Sequence, residues 1–251
     1  MLVEFAGVPG SGKSHSADRL REWLTLNQIP YADVDEFVRL RAARPEESVP
    51  KLGPENKLDL GSKEADVFLK GFRYFMLQEP KYTLEYLNTL FQLESDKAII
   101  DLVSSSFFYC CARRGFFLAR QESRPNDVVI HEEGLVHRLF TLFGYRSGGT
   151  QDDALLARLA ELTPRPDIVF WTRCSPALAV QRLNTRVRKM PDRLTGLSAD
   201  EAAQVLAAAE TKIKTASLVL QARGTRVAQL QTDADPDDDL NQFRDIFSAG
   251  C

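Results

Sequence analysis

Four cysteines are too few, and too badly spaced, to clamp a chain of 251 residues. Cys110 and Cys111 are adjacent, Cys174 and Cys251 stand apart, and no pair has metal-ligand spacing or suggests a disulfide framework. They read as thiols of a reducing compartment. Histidine is scarcer still: there are three, and His131 and His137 have no third partner at a suggestive spacing, so neither a histidine metal centre nor a catalytic histidine pair is indicated. No apolar run approaches the roughly 20 residues of a membrane span. No basic stretch followed by a long apolar core opens the chain, so no signal peptide is expected and the expected location is cytoplasmic. Charge of one sign is also lacking. Lys+Arg 32 against Asp+Glu 35 leaves a net −3, which argues against nucleic acid or an anionic membrane as the partner. What remains, 44% hydrophobic and 27% charged, is ordinary for a globular chain with a sizeable core.

Against these absences stand the first fourteen residues. A short apolar run, Leu2 to Ala6, leads at once into Gly7, Pro9, Gly10, Ser11, Gly12, Lys13 and Ser14. Glycine, four residues, then Gly-Lys-Ser is the phosphate-loop pattern in its strand–loop–helix setting. Glycines let the backbone wrap a polyphosphate without Cβ clashes. Successive N–H groups form an anion nest, and the following helix adds its positive dipole end. Lys13 is expected at the β- and γ-phosphates and the Ser14 hydroxyl on Mg²⁺.

The rest of the chain alternates strands and helices. A helix over 13–27 carries Ala17, Leu20, Trp23 and Leu24 on one side. Ile29 to Glu36 reads as a short strand ending in acids, which completes a βαβ unit and implies a parallel sheet. Residues 36–126 hold no convincing strand. Phe37–Arg44 looks helical, helices are predicted at about 62–78 and 80–94, and 96–122 is taken as helix because Ile99, Val103, Phe107, Cys110 and Phe117 form a helical stripe. Val128-Val129-Ile130 is the next strand, followed by His131-Glu132-Glu133-Gly134 and a helix, then a glycine loop and a helix from Gln151 to Leu162. Pro166–Trp171 is a strand, Ser175-Pro176 caps a helix, and Ser198 with Glu201 forms a capping box for a helix over 198–222. Thr225–Leu230 is the last strand, and a helix closes the chain. The expectation is one α/β domain over 1–251: a doubly wound, five-stranded parallel sheet of the P-loop NTPase type, with a helical insertion over about 36–126.

Ligands of such a sheet bind beyond the carboxyl ends of its strands. The acids there are Asp33, Asp35, Glu132 and Glu133. One carboxylate near an acceptor hydroxyl can serve as a base, and another can hold Mg²⁺ through water. Glu132 is the expected participant after the third strand, because it closes a wholly apolar run, and Glu133 the expected bystander. Arg182 and Arg186 lie four residues apart on a helix, and Arg188 and Arg193 flank the turn at Pro191. Mobile arginines there would stabilise a transferring phosphoryl group. A second basic patch, Arg39, Arg41 and Arg44, could meet an anionic acceptor.

These elements together resemble the P-loop kinases of small molecules: nucleoside monophosphate, thymidylate, deoxynucleoside, shikimate and gluconate kinases. Gly7–Ser14 matches the loop. Asp33-Val34-Asp35 resembles the Asp-x-Asp of shikimate-type kinases. Val128–Glu133 with Arg138 resembles the element after the third strand of thymidylate and deoxynucleoside kinases, with Glu-Glu-Gly in place of its acid–arginine pair. Phe170–Arg193 resembles their arginine lid, here at about 182–197. The resemblance implies an ATP- and Mg²⁺-dependent phosphotransferase acting on a nucleoside or nucleotide, or on a sugar or other hydroxylated metabolite. It implies catalytic roles for Lys13, Asp33, Asp35, Glu132, Arg186 and Arg193. Nucleotide contacts would come from Gly7, Pro9, Gly10, Ser11, Gly12, Lys13, Ser14, Arg182 and Arg186, and metal contacts from Ser14, Asp33 and Glu132. A homodimer is compatible with it. Three rival readings stay open: a regulatory NTPase, although Asn-Lys-x-Asp is missing, a nucleic-acid end kinase, and a binding module with a vestigial loop.

Overall fold

A computed structural model describes residues 1–33, 63–121, 128–144, 150–186, 190–233 and 236–248. The apolar run at the start becomes β1 (Leu2–Ala6), buried along its whole length. A strand covered on both faces reads as a near-continuous apolar run, and its place in the sheet is central. The other strands are β2 (Tyr31–Asp33), β3 (Val128–His131), β4 (Ile168–Arg173) and β5 (Arg226–Gln231). They form one parallel sheet in the order β2-β3-β1-β4-β5. Val3 lies between Ile130 on one side and Ile168 on the other.

Helices cover both faces. On one, α1 (Lys13–Leu26) and α9 (Pro236–Ser248) lay Leu20, Leu24 and Phe243 against Val3, Phe5 and Phe170. On the other, α5 (Leu135–Phe143), α7 (Pro176–Thr185) and α8 (Ala199–Ala222) surround Ala6, Val169 and Trp171. The caps anticipated from the sequence are present: the Ser175 hydroxyl accepts from Leu178 N, and Ser198 and Glu201 cap α8 reciprocally.

Between β2 and β3 in the chain come α2 (Lys63–Gln78), α3 (Pro80–Leu93) and α4 (Lys97–Gln121). With α5 and α6 (Thr150–Leu162) they share an apolar core of their own, including Phe75, Tyr82, Tyr86, Phe107, Leu139, Phe143 and Leu159. Tyr86 and Phe107 stack at 3.8 Å between ring centroids. The helical reading of 96–122 follows from this core, because Val103, Phe107, Cys110 and Cys111 are buried on one stripe of α4. Helices α2 and α4 meet backbone to backbone. A Cβ on Gly115 would lie 1.8 Å from Gly71 O, so only glycine fits that crossing. The expected helix at Phe37–Arg44 and its arginines lie outside the described residues, as do Asp35, Arg188 and Cys251. Among the described residues, no helix is long and apolar enough to cross a membrane.

Candidate active site

The segment joining β1 to α1 lies at the carboxyl edge of the sheet. Gly10 and Gly12 have φ of +83° and +95°, a backbone region that side chains rarely adopt. Gly7 is needed for space, since a Cβ there would sit 2.3 Å from Thr172 Oγ1. The loop is tied down from beneath. Thr172 Oγ1 donates to Ala6 O at 3.2 Å, so Ser11 Oγ donates its own proton to Thr172 Oγ1 at 2.8 Å. Ser11 N donates to Val8 O at 3.1 Å. Lys13 is buried and folds back over the loop, its Nζ donating to Gly7 O at 3.0 Å and Val8 O at 3.2 Å. Burial lowers its pKa, and the carboxylates of Glu133 and Glu132 oppose that shift. The first N–H groups of α1 have no acceptor within the helix and are open to an anion.

The fold is that of a P-loop protein. Strand order, the position of the glycine loop after the central strand and the helix that follows establish this from the chain itself. No protein-family model and no curated protein matches the chain. Among solved structures it is similar to a deoxyadenosine kinase from M. mycoides with bound dCTP, at 12% identity and a TM-score of 0.46, covering 99% of this chain and 100% of that one. The same enzyme with products dCMP and a flexible dCDP aligns at 12% identity and TM-score 0.49 over the same shares. A shikimate kinase from Bacteroides thetaiotaomicron aligns at 11% identity and TM-score 0.41, over 99% of this chain and 98% of its own. Identities this low carry no information on substrate.

Over the P-loop opens a cavity of about 330 Å³. Gly12, Lys13 and Ser14 form its floor, and Glu133, His137 and Arg186 rise beside them. Here the structure differs from the sequence expectation. Of the two adjacent acids after β3, Glu133 lines the cavity. Glu132 faces α1, where Arg21 reaches it at 3.4 Å. The reason is the turn between β3 and α5, which sends consecutive side chains in different directions.

Glu133 is half-exposed at the cavity and sits 3.8 Å from His137 Nε2 and 3.3 Å from Arg138. Its carboxyl is held well below the usual carboxylate range, first by His137 and then, against the opposing effect of burial, by Arg138 and Lys13. The ring itself is driven well below the ordinary histidine range by its burial. Arg138 is steadied in turn by a hydrogen bond to Ser106 of α4.

The remaining expected site residues are distributed as follows. Asp33 ends β2, its backbone in register with Ile130, at the same sheet edge as the loop. Arg186 follows α7 and lines the cavity. Arg193 lies 3.7 Å from Glu94 at the end of α3. Arg182 turns to the P-loop's outer side, donating to Thr232 Oγ1 at 2.9 Å, Thr232 O at 2.8 Å and Gly10 O at 3.4 Å. Among the described residues no three His, Cys, Asp or Glu side chains come together as a metal site. A P-loop magnesium site is of a different kind: it takes one serine hydroxyl, with phosphate oxygens and water completing the shell. Ser14 on the cavity floor, with the Glu133 carboxylate opposite, fits such an ion.

Sequence reasoning missed Glu4. It is fully buried in β1, and its Oε2 accepts from Val136 N at 3.0 Å, capping α5 from a neighbouring strand. Burial raises its pKa, opposed first by the Arg114 charge. Gly134 makes room for it, because a Cβ there would meet the carboxylate at 2.2 Å. A lone acid inside an apolar strand was the available signal. By this contact Glu4 fixes the start of the helix that carries His137 and Arg138.

Proposed function

We propose that the chain is an ATP- and Mg²⁺-dependent phosphotransferase whose acceptor is a small molecule, a nucleoside or nucleotide first. The whole chain acts as one kinase-like unit in this reading, with α2–α4 as the acceptor-side insertion and residues 182–197 as the lid. The observation that carries it is the cavity itself: a carboxylate, Glu133, and a cation, Arg186, line the same cavity as Lys13 and Ser14. A volume of about 330 Å³ is at the lower end of small-molecule sites.

Lys13 and the first N–H groups of α1 would hold the phosphates of ATP, and Ser14 the magnesium ion. When bound, the ion neutralises charge on the triphosphate. Glu133 would orient an acceptor hydroxyl by accepting a hydrogen bond from it, since His137, Arg138 and Lys13 favour its ionised form. Asp33 and Asp35 would serve the same acceptor, the role the sequence resemblance implies for them. Arg186 would face the transferring phosphoryl group. Closure of the lid segment over the cavity would exclude water and limit idle hydrolysis.

ADP release from MgATP, measured across a panel of nucleosides, nucleotides and sugars, tests this. Acceleration by one class of acceptor is the expected result, with sugars alone redirecting the reading to a metabolite kinase. Turnover that no acceptor changes would overturn the kinase reading in favour of a regulatory NTPase.

A further inference from the structure

Thr232 is the first residue after β5, and no motif draws attention to it. Its N–H donates to Arg173 O at 2.8 Å, which extends the ladder between β4 and β5 by one step. Its side chain then leaves the sheet and reaches the P-loop. Oγ1 lies 2.7 Å from Ser11 O and 3.1 Å from Arg173 O. A hydroxyl has one proton, and the shorter contact takes it. The same oxygen accepts from Arg182, whose second nitrogen donates to Thr232 O. Arg182 and Cys174 also reach Gly10 O from the outer side, at 3.4 Å and 3.8 Å.

In a trans peptide the C=O of one residue and the N–H of the next point in opposite directions. Fixing Ser11 C=O against Thr232 therefore aims the Gly12 N–H the other way, toward the cavity that Gly12 lines. Fixing Gly10 C=O outward likewise aims the Ser11 N–H inward, where it meets Val8 O. Thr232 also limits the room at Gly12, since a Cβ added there would lie 3.1 Å from its side chain.

We infer that Thr232 and Arg182 are positioning residues that set the peptide planes of the phosphate loop, and through them its affinity for any polyphosphate. The inference rests on the loop being a phosphate site. It gives Arg182 a different task from contact with the nucleotide: two of its guanidinium nitrogens are engaged on the loop's outer side. Hydrogen bonds to carbonyls that must point outward hold the nest open before ligand arrives, which lowers the cost of ordering it on binding.

The test uses the full chain and two ligands, MgATP and magnesium tripolyphosphate, with affinities measured by calorimetry. Tripolyphosphate has no base or sugar and reads the nest alone. Thr232→Val keeps the shape and removes the hydroxyl, and both ligands are expected to weaken by about tenfold, the scale of one well-placed hydrogen bond. Thr232→Ser should restore both. Arg182→Gln, which leaves Thr232 intact, should weaken both in the same direction and serves should the valine variant fail to fold. Loss of MgATP affinity with tripolyphosphate affinity unchanged would overturn the inference, because the residues would then act on the nucleoside. A wild-type chain that binds neither ligand would overturn the proposed function as well, so the two failures are distinguishable.

Discussion

On one side of the cavity the P-loop rests on β4, the end of β5 and α7 through polar contacts: Thr172 to Ser11, Thr232 to Ser11, Arg182 to Gly10. Its carbonyls are spoken for, and Lys13 closes over two of them. On the other side Glu133, His137 and Arg138 stand over buried charge, with Glu4 and Arg114 beneath and His131 between the sheet and α4. Nδ1 of both His131 and His137 is buried with no hydrogen-bond partner among the described residues. In the proposed function the first wall would meet its ligand through backbone, so its chemistry depends on conformation. The second would do so through side chains whose charge depends on burial and neighbours. A backbone site suits a ligand common to many proteins, and a side-chain site suits one that differs among them.

Lys13→Ala tests the first wall most severely. ADP release should fall about a thousandfold while the fold persists, since one charge is lost and the loop remains tied to β4 and β5. Circular dichroism beside the rate assay checks both halves of that statement.

Glu4→Ala strikes the foundation of the second wall. It removes the acceptor for Val136 N and a carboxylate that acts electrostatically on buried Arg114, so stability should drop by about 3 kcal/mol in denaturant titration. Glu4→Gln keeps an acceptor and should lose less than half of that. Equal losses would mean that charge rather than the cap matters at this position.

Glu133→Gln against Glu132→Gln decides which adjacent acid serves the cavity. Acceptor phosphorylation should fall about a hundredfold in the first and less than threefold in the second. The reverse order would return the role to the residue that closes β3.

The buried imidazoles predict a pH response. The folded pKa of His131 and of His137 is depressed by burial, so below about 6.5 the unfolded chain takes up protons that the folded chain refuses. Stability should be full above that pH and fall as pH drops through it. In His137→Gln the decline between pH 7 and 5 should be shallower, read from denaturant midpoints. The smallest effect expected is from Arg193→Ala: its contact with Glu94 is long, and the loss should stay under about 1 kcal/mol.

Much of the fold was legible because it is written locally. Apolar runs bounded by turns marked the strands, Ser175 and Ser198 marked helix starts, and Gly10 and Gly12 marked a loop that only glycine can form. The candidate site was legible on its P-loop side for the same reason. Its other wall was not. Glu132 and Glu133 are chemically identical neighbours, and which one faces the cavity follows from how the turn after His131 is rotated against α1 and α5. Glu4 looked like an interruption of β1 until α5 was set beside it. Thr232 is an ordinary threonine until β5 lies next to β4 and carries it under the loop.

The sequence by itself determined that this chain builds a parallel α/β sheet with a glycine loop after its first strand, since glycine conformation, strand burial and helix capping act between residues a few positions apart. The tertiary structure alone decided which acid lines the cavity, that Arg182 turns to the loop's outer carbonyls, and that a buried glutamate seats the helix of the second wall. Those outcomes depend on contacts between residues more than 100 positions apart, Glu4 to Val136, Arg21 to Glu132 and Gly10 to Arg182, and nothing in a linear spacing encodes the direction in which such side chains point.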